Sequence, residues 1–326
     1  MGETSIEWTD RTWNPVRGCS RVSEGCQNCY AERIAARFSK GRGAKRQSEF
    51  QGFAILENGK SRWTGKVELV ESKLTEPLHW RKPCRVFVNS MSDLFHEALP
   101  DQAIDRVFAV MALAPQHTFQ LLTKRADRML KWSARMADAE GEPMWVAADS
   151  LNVGASSPMS IWSRGDTLAS VQVQPWPLAN VWLGVSVEDQ KTADERIPLL
   201  LQTPAAKRFV SYEPALGPVD FRRYLFHHDC DVLALDCEGA HDGGSFLDWV
   251  IVGGESGPGA RPFDIAWARN TITQCKAAGV ACFVKQLGAR PGYQRKDGWR
   301  DMELRDRKGS DPSQWPDWAF VRGYPQ

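Results

Sequence analysis

The sequence predicts an α/β protein built on a full or partial parallel (βα) barrel that carries loop insertions. Short β-rich segments alternate with stretches of helical periodicity, as in folds that cross over between parallel strands. The strand candidates are continuously apolar rather than alternating, which suits strands covered on both faces. Their number favours a barrel over a sandwich.

The strand candidates, in chain order, are Arg85–Asn89, Thr118–Leu122, Val181–Val185, Arg208–Ser211, Trp249–Val252 and Cys282–Lys285. Two of the intervening helices are legible in detail. Ile104, Val107, Phe108 and Met111 recur at i, i+3, i+4 and i+7 after Pro100 and Asp101. A second helix is expected to start at Asp264, an N-cap, run through Ile265, Ala268, Ile272 and Cys275, and stop at Gly279 as its C′ residue. Residues 1–290 are expected to form the barrel domain, with insertions at about 39–63, 140–176 and 220–248. Residues 291–326 are expected to form a C-terminal extension packed on the barrel.

A chain of 326 residues with 42% apolar content has ample material for a core. Its 41 basic residues against 40 acidic ones give no global field that selects a partner. The N-terminus MGETSIEWTD lacks the apolar run of a signal peptide, and no stretch approaches the ~18 apolar residues of a membrane helix. The expectation is a cytoplasmic protein with no membrane partner. Eight cysteines, three of them inside eleven residues, do not resemble a secreted disulfide scaffold, and in a reducing compartment metal is the usual explanation.

Those three form a C-x6-C-x2-C array, Gly18-Cys19-Ser-Arg-Val-Ser-Glu-Gly-Cys26-Gln-Asn-Cys29, leading into a helix with Tyr30, Ile34 and Phe38 on one face. Cys19, Cys26 and Cys29 can bind three irons of a [4Fe-4S] cluster and leave the fourth open. An open iron can take the amino and carboxylate groups of S-adenosyl-L-methionine and pass an electron to its sulfonium, breaking a C–S bond to give a 5′-deoxyadenosyl radical. The alternative is a zinc site completed by the distant Cys84 or His96, in a non-catalytic, zinc-stabilised nucleic-acid-binding protein.

The array joins several further motifs: Asn89-Ser-Met-Ser-Asp93-Leu-Phe95, Leu122-Thr-Lys-Arg125, Trp182-Leu-Gly-Val-Ser-Val-Glu188-Asp189-Gln190, Val210-Ser-Tyr-Glu-Pro214, Gly217-Pro218 and Val250-Ile-Val-Gly-Gly-Glu-Ser-Gly257. Together they resemble the phage-associated three-cysteine-motif family, which is in turn similar to radical S-adenosylmethionine enzymes such as spore photoproduct lyase. The resemblance implies a barrel of the radical S-adenosylmethionine type, a [4Fe-4S] cluster, S-adenosylmethionine as cofactor and a reducing electron donor. Two departures stand out. The first cysteine gap is six residues where that superfamily usually has three, and Asn28 stands where it usually has an aromatic against the adenine.

Each motif falls at the C-terminal end of a predicted strand, where parallel barrels bind ligands. Ser90, Asp93, Thr123, Ser186 and Glu188 are therefore expected to hold the methionyl and ribose groups, with Lys124 or Arg125 on the methionyl carboxylate. Glu213, a carboxylate needing a partner in a barrel mouth, is expected to bind substrate or the cofactor amino group, and with Lys124 to serve catalysis. Gly253, Gly254 and Glu255 end a buried strand in a glycine turn; by resemblance, the glycines flank the adenine. His227, His228, Cys230, Cys237 and His241 have the residue types of a second, zinc-type metal site, but their spacing is irregular, and surface histidines and incidental thiols are the default reading. The basic run Lys40, Arg42, Lys45 and Arg46, followed by Phe50, Phe53 and Trp63, has the makeup of a phosphate-contacting and base-stacking segment. A DNA, RNA or nucleotide substrate, modified or repaired by radical chemistry, is the resulting expectation.

Overall fold

The structure, a computed structural model, describes residues 4–39, 48–149, 151, 175–225 and 246–325. It divides into two compact units: Met1–Arg21, Ala31–Leu183 and Thr203–Ala206 in one, and Val22–Tyr30, Gly184–Gln202 and Lys207–Gln326 in the other.

Seven strands form one sheet in chain order: β1 (Arg11–Trp13), β2 (Arg85–Val88), β3 (Thr118–Thr123), β4 (Val181–Val187), β5 (Lys207–Tyr212), β6 (Trp249–Gly253) and β7 (Ala281–Gln286). The pairs β1–β2, β2–β3, β5–β6 and β6–β7 are parallel. All six predicted strands are present, and β1 is an addition. With β1 and β7 as its edges, the order is that of a partial rather than a full barrel.

In the first unit, helix α2 (Asp101–Ala112) follows β2 and helix α3 (Ala126–Asp138) follows β3; helix α1 (Tyr30–Ser39) follows the cysteine array. Ile104, Val107, Phe108 and Met111 are buried, as their spacing predicts, and the Phe108 ring lies 4.2 Å from that of Trp132 on α3. Each such side chain contributes about 1.5–3 kcal/mol by leaving water.

The insertion at 39–63 departs from expectation in its described part, which is an antiparallel hairpin, Ala54–Glu57 with Lys60–Trp63, rather than a loop. Asn58 and Gly59 both have positive φ, 48° and 74°, as a two-residue type I′ turn requires. Phe53 is buried, and Phe50 and Trp63 pack on Ala35, Ala36 and Ala54. Phe53 is therefore core, whereas Phe50 and Trp63 keep part of their surface exposed. Lys40, Arg42, Lys45 and Arg46 lie outside the described residues, as do His227, His228, Cys230, Cys237 and His241.

In the second unit every residue of β6 is buried, as a strand covered on both faces requires. Helix α4 (Gln190–Gln202) follows β4, and helix α5 (Ile265–Ala277) precedes β7. The Asp264 side chain accepts a hydrogen bond from the Ala266 amide, and the Val280 amide donates to the Cys275 carbonyl beyond Gly279, whose φ is 67°. Both predicted ends of α5 are therefore present, the second as a Schellman closure. Past β7, Pro291–Arg295 pairs antiparallel with Gly298–Asp301. The C-terminal tail then returns along β7: Val284 N–H donates to Val321 O and Gly323 N–H to Cys282 O. This covers backbone groups that an edge strand would otherwise expose.

Candidate functional site

The first unit builds a polar cluster on the segments that follow β2 and β3. Asn89 leaves β2 with φ 60°, and its side-chain oxygen accepts from the Val16 amide. The Ser92 hydroxyl donates to the Val16 carbonyl at 2.8 Å, and Gly18 bridges Ser92, so the chain entering Cys19 is strapped to the segment after β2. Gly18 has φ 87°, and a Cβ there would stand 1.8 Å from the Lys66 carbonyl oxygen, so only glycine fits.

Arg125 is the hub of this cluster. Its buried guanidinium donates to Asp93 (3.0 Å), Glu97 (2.9 Å) and the Ser20 hydroxyl (2.8 Å), and one nitrogen lies 3.9 Å from the Cys19 sulfur. Burial pushes this guanidinium down, but the charges of Asp93, Cys19 and Glu97 outweigh it and hold it above its ordinary value. Asp93 also accepts from the Thr123 hydroxyl at 2.7 Å and from the Lys124 amide at 3.3 Å. The Ser90 hydroxyl donates to Asn14. Lys124 itself is half-buried.

His96 lies 2.8 Å from the Ser20 hydroxyl through Nε2, while its Nδ1 accepts from the Ala98 amide. Those partners assign the proton to Nε2. Burial and the Arg125 charge push His96 below its ordinary value, which favours the uncharged ring. Cys84 sits at the other end of β2, 3.5 Å from His117, with its thiol pushed up by burial.

The second unit builds a second cluster on the segments that follow β4, β5 and β6. The Ser186 hydroxyl donates to the Glu213 carbonyl (3.1 Å), and the Glu213 carboxylate takes Lys285 Nζ on both oxygens (2.6 and 2.8 Å) and the Gln286 amide (3.2 Å). Glu213 thus has the partner its position demands, and the pair stays partly exposed, 18% for Glu213 and 21% for Lys285. Glu188 is buried against Arg196. Glu255 is paired with Arg261 and accepts from Asn28; burial raises its carboxyl, but these bonds outweigh that and hold it below the usual range. A Cβ on Gly254 would stand 2.4 Å from the Leu287 carbonyl oxygen, so this glycine serves a close backbone approach within the protein. Gly253 marks a register shift between β6 and β7.

Cys19 belongs to the first unit, and Cys26 and Cys29 to the second. All three are half-buried and none is in a disulfide. Cys26 closes a short 3-10 turn, Glu24–Cys26, and Cys29 immediately precedes α1. Among the described residues no three Cys, His, Asp or Glu side chains stand close enough together to hold a metal ion as placed. In kind, the donor set fits an iron–sulfur cluster: three half-buried thiols on one stretch of loop. Cys275 and Cys282 differ, being buried against each other, with the Cys275 thiol pushed far up by that hydrogen bond and by burial.

Fold and clusters together define an α/β protein with a sheet of parallel-paired strands and polar residues on the segments that follow its strands. A family described as a protein of unknown function, DUF5131, matches residues 3–311, and the chain belongs to that family. No curated protein and no solved structure gives a match. Among the described residues no helix is long and apolar enough to cross a membrane.

Sequence reasoning offered Lys124 or Arg125 to a ligand carboxylate; of the two, Arg125 is taken by the protein's own Asp93 and Glu97. Arg125→Ala is expected to destabilise the fold by about 3–5 kcal/mol in urea unfolding, because Asp93 is left buried without its counter-charge. Adding Asp93→Asn is expected to restore part of the loss. A single variant within 0.5 kcal/mol of wild type would contradict the hub assignment.

Proposed function

We propose that the chain is a radical S-adenosylmethionine enzyme acting on a nucleic acid or nucleotide. The observation that carries this reading is the C-x6-C-x2-C array, whose cysteines are half-buried, outside any disulfide, and set at the entry to the first helix of a parallel α/β fold. Cys19, Cys26 and Cys29 would hold a [4Fe-4S] cluster. With S-adenosylmethionine bound, such a cluster would supply one-electron reductive cleavage of a C–S bond of the cofactor. A reducing electron donor is then needed, and a cytoplasmic setting suits the chemistry.

The chain's own residues bind and orient. Lys124 offers its ammonium to the methionyl carboxylate, and Ser90, Asp93 and Thr123 order the segments that flank it. On the second unit the partly exposed Glu213, held by Lys285, presents a carboxylate to substrate, with Ser186 fixing its backbone. Gly253 allows a bound group to approach the end of β6 closely.

The zinc reading draws on one observation, the nearness of His96 to Ser20, beside Cys19. Against it, both ring nitrogens of His96 have partners, and Cys84 lies at the far end of β2 from Ser90.

The cluster half of the proposal is tested by anaerobic reconstitution followed by metal and sulfide analysis. Wild type is expected to hold about four irons per chain and to convert S-adenosylmethionine to 5′-deoxyadenosine when reduced. Cys19→Ala, Cys26→Ala and Cys29→Ala each lose both properties, and Cys275→Ala and Cys282→Ala keep them. Zinc without iron, or full iron in all three array variants, would sink the reading.

The substrate half rests on the basic run Lys40, Arg42, Lys45 and Arg46. Neutralising all four is expected to lower the slope of log affinity against log salt for single-stranded DNA or RNA, by roughly one for each phosphate that no longer meets a cation. Equal slopes, or no binding by either protein, would point to a small-molecule or protein substrate.

A further inference from the structure

The turn that carries Cys26 and Cys29 is held at both ends by the same device. At its start, the Ser23 hydroxyl donates to Glu188 Oε1 at 3.0 Å, and Gly25 lies so close that a Cβ would stand 2.3 Å from that oxygen. At its end, the Asn28 amide donates to Glu255 Oε2 at 2.9 Å and to the Gly259 carbonyl at 3.0 Å. Each carboxylate is buried and each is met by an arginine: Arg196 reaches both oxygens of Glu188 at 3.1 and 3.3 Å, and Arg261 reaches Glu255 Oε1 at 2.7 Å. Arg261 extends further to the turn itself, 3.4 Å from Gln27 Oε1 and 3.7 Å from Glu24.

A buried carboxylate met by an arginine cannot swing to solvent without stranding its partner, so each is a fixed acceptor. The arginines also matter for the charge balance. A carboxylate neutralised by its arginine adds no net charge beside the turn. We infer that Glu188 and Glu255 are positioning residues that hold the Cys26–Cys29 turn in shape, through Ser23 at one end and Asn28 at the other. Unlike the partly exposed Glu213, both are buried as well as engaged within the protein, which removes them from the set that would touch S-adenosylmethionine. The inference rests on the proposed role of the cysteines as cluster ligands, and it explains two features of the array: a glycine at position 25, and an asparagine at 28.

The test uses Ser23→Ala/Asn28→Ala, which removes the three hydrogen bonds that these side chains donate and leaves both buried ion pairs intact. Gly25→Ala disturbs the same clamp from the other side, and Ser23→Thr, which keeps the hydroxyl, serves as rescue. On the full chain before iron is added, hydrogen exchange at the Cys26 and Gln27 amides reports the turn directly. These amides are expected to exchange about ten- to a hundredfold faster in the double variant, the range for losing hydrogen bonds to charged groups, with an unchanged thermal midpoint. After reconstitution, iron loss to a chelator is expected to accelerate by a similar factor, and Ser23→Thr/Asn28→Ala to recover part of it. Wild-type exchange and wild-type iron retention in both Ser23→Ala/Asn28→Ala and Gly25→Ala would overturn the inference. If wild type takes up no iron, the cluster reading fails, and the exchange rates still decide whether the clamp exists.

Discussion

A carboxylate buried near the end of a strand is costly to keep charged without a counter-charge, and among the described residues three such carboxylates are met by arginine. In one unit Asp93 meets Arg125, and in the other Glu188 meets Arg196 and Glu255 meets Arg261. Such pairs are weak sources of net stability, because desolvating both ions offsets most of their attraction. What they supply is geometry. Each pair has a third partner in the cysteine loop: Ser20 on Arg125, Ser23 on Glu188, and Asn28 on Glu255. The loop from Cys19 to Cys29 has little apolar surface of its own to bury, so its conformation depends on these polar contacts.

The strands were legible because parallel strands covered on both faces read as short apolar runs, and β6, Trp249–Gly253, is the clearest case. The ends of α5 were legible for a local reason: Asp264 and Gly279 act on backbone groups two to four residues away. The first strand, Arg11–Trp13, is too short and too polar to carry a pattern. The hairpin at Ala54–Trp63 did carry one, Asn58-Gly59 between two strand-length runs, but the Gly-, Lys- and Arg-rich flank masked it. Reading that hairpin would also have marked Phe53 as core, with Trp63 packed against the core.

Of the candidate site, sequence identified the polar residues at the strand ends but not their partners. Arg125, Arg196, Arg261 and Lys285 contact carboxylates 32, 8, 6 and 72 residues away. Nothing in the spacing of such pairs marks them as partners, since what joins them is the strand order. Gly254 shows the same limit from another side: a glycine beside a strand end signals close approach, and only the fold says that the approaching group is the Leu287 carbonyl.

Three cysteines can serve a cluster with an open iron or a zinc site with a borrowed fourth ligand, and the two differ most at the metal itself. The most direct test is electron paramagnetic resonance of the anaerobically reconstituted, reduced protein, recorded before and after S-adenosylmethionine is added. The account predicts the signal of a reduced [4Fe-4S] cluster that changes on addition, because the fourth iron gains ligands. A fully reduced cluster whose spectrum is indifferent to S-adenosylmethionine, or a protein holding zinc and giving no signal, would contradict it.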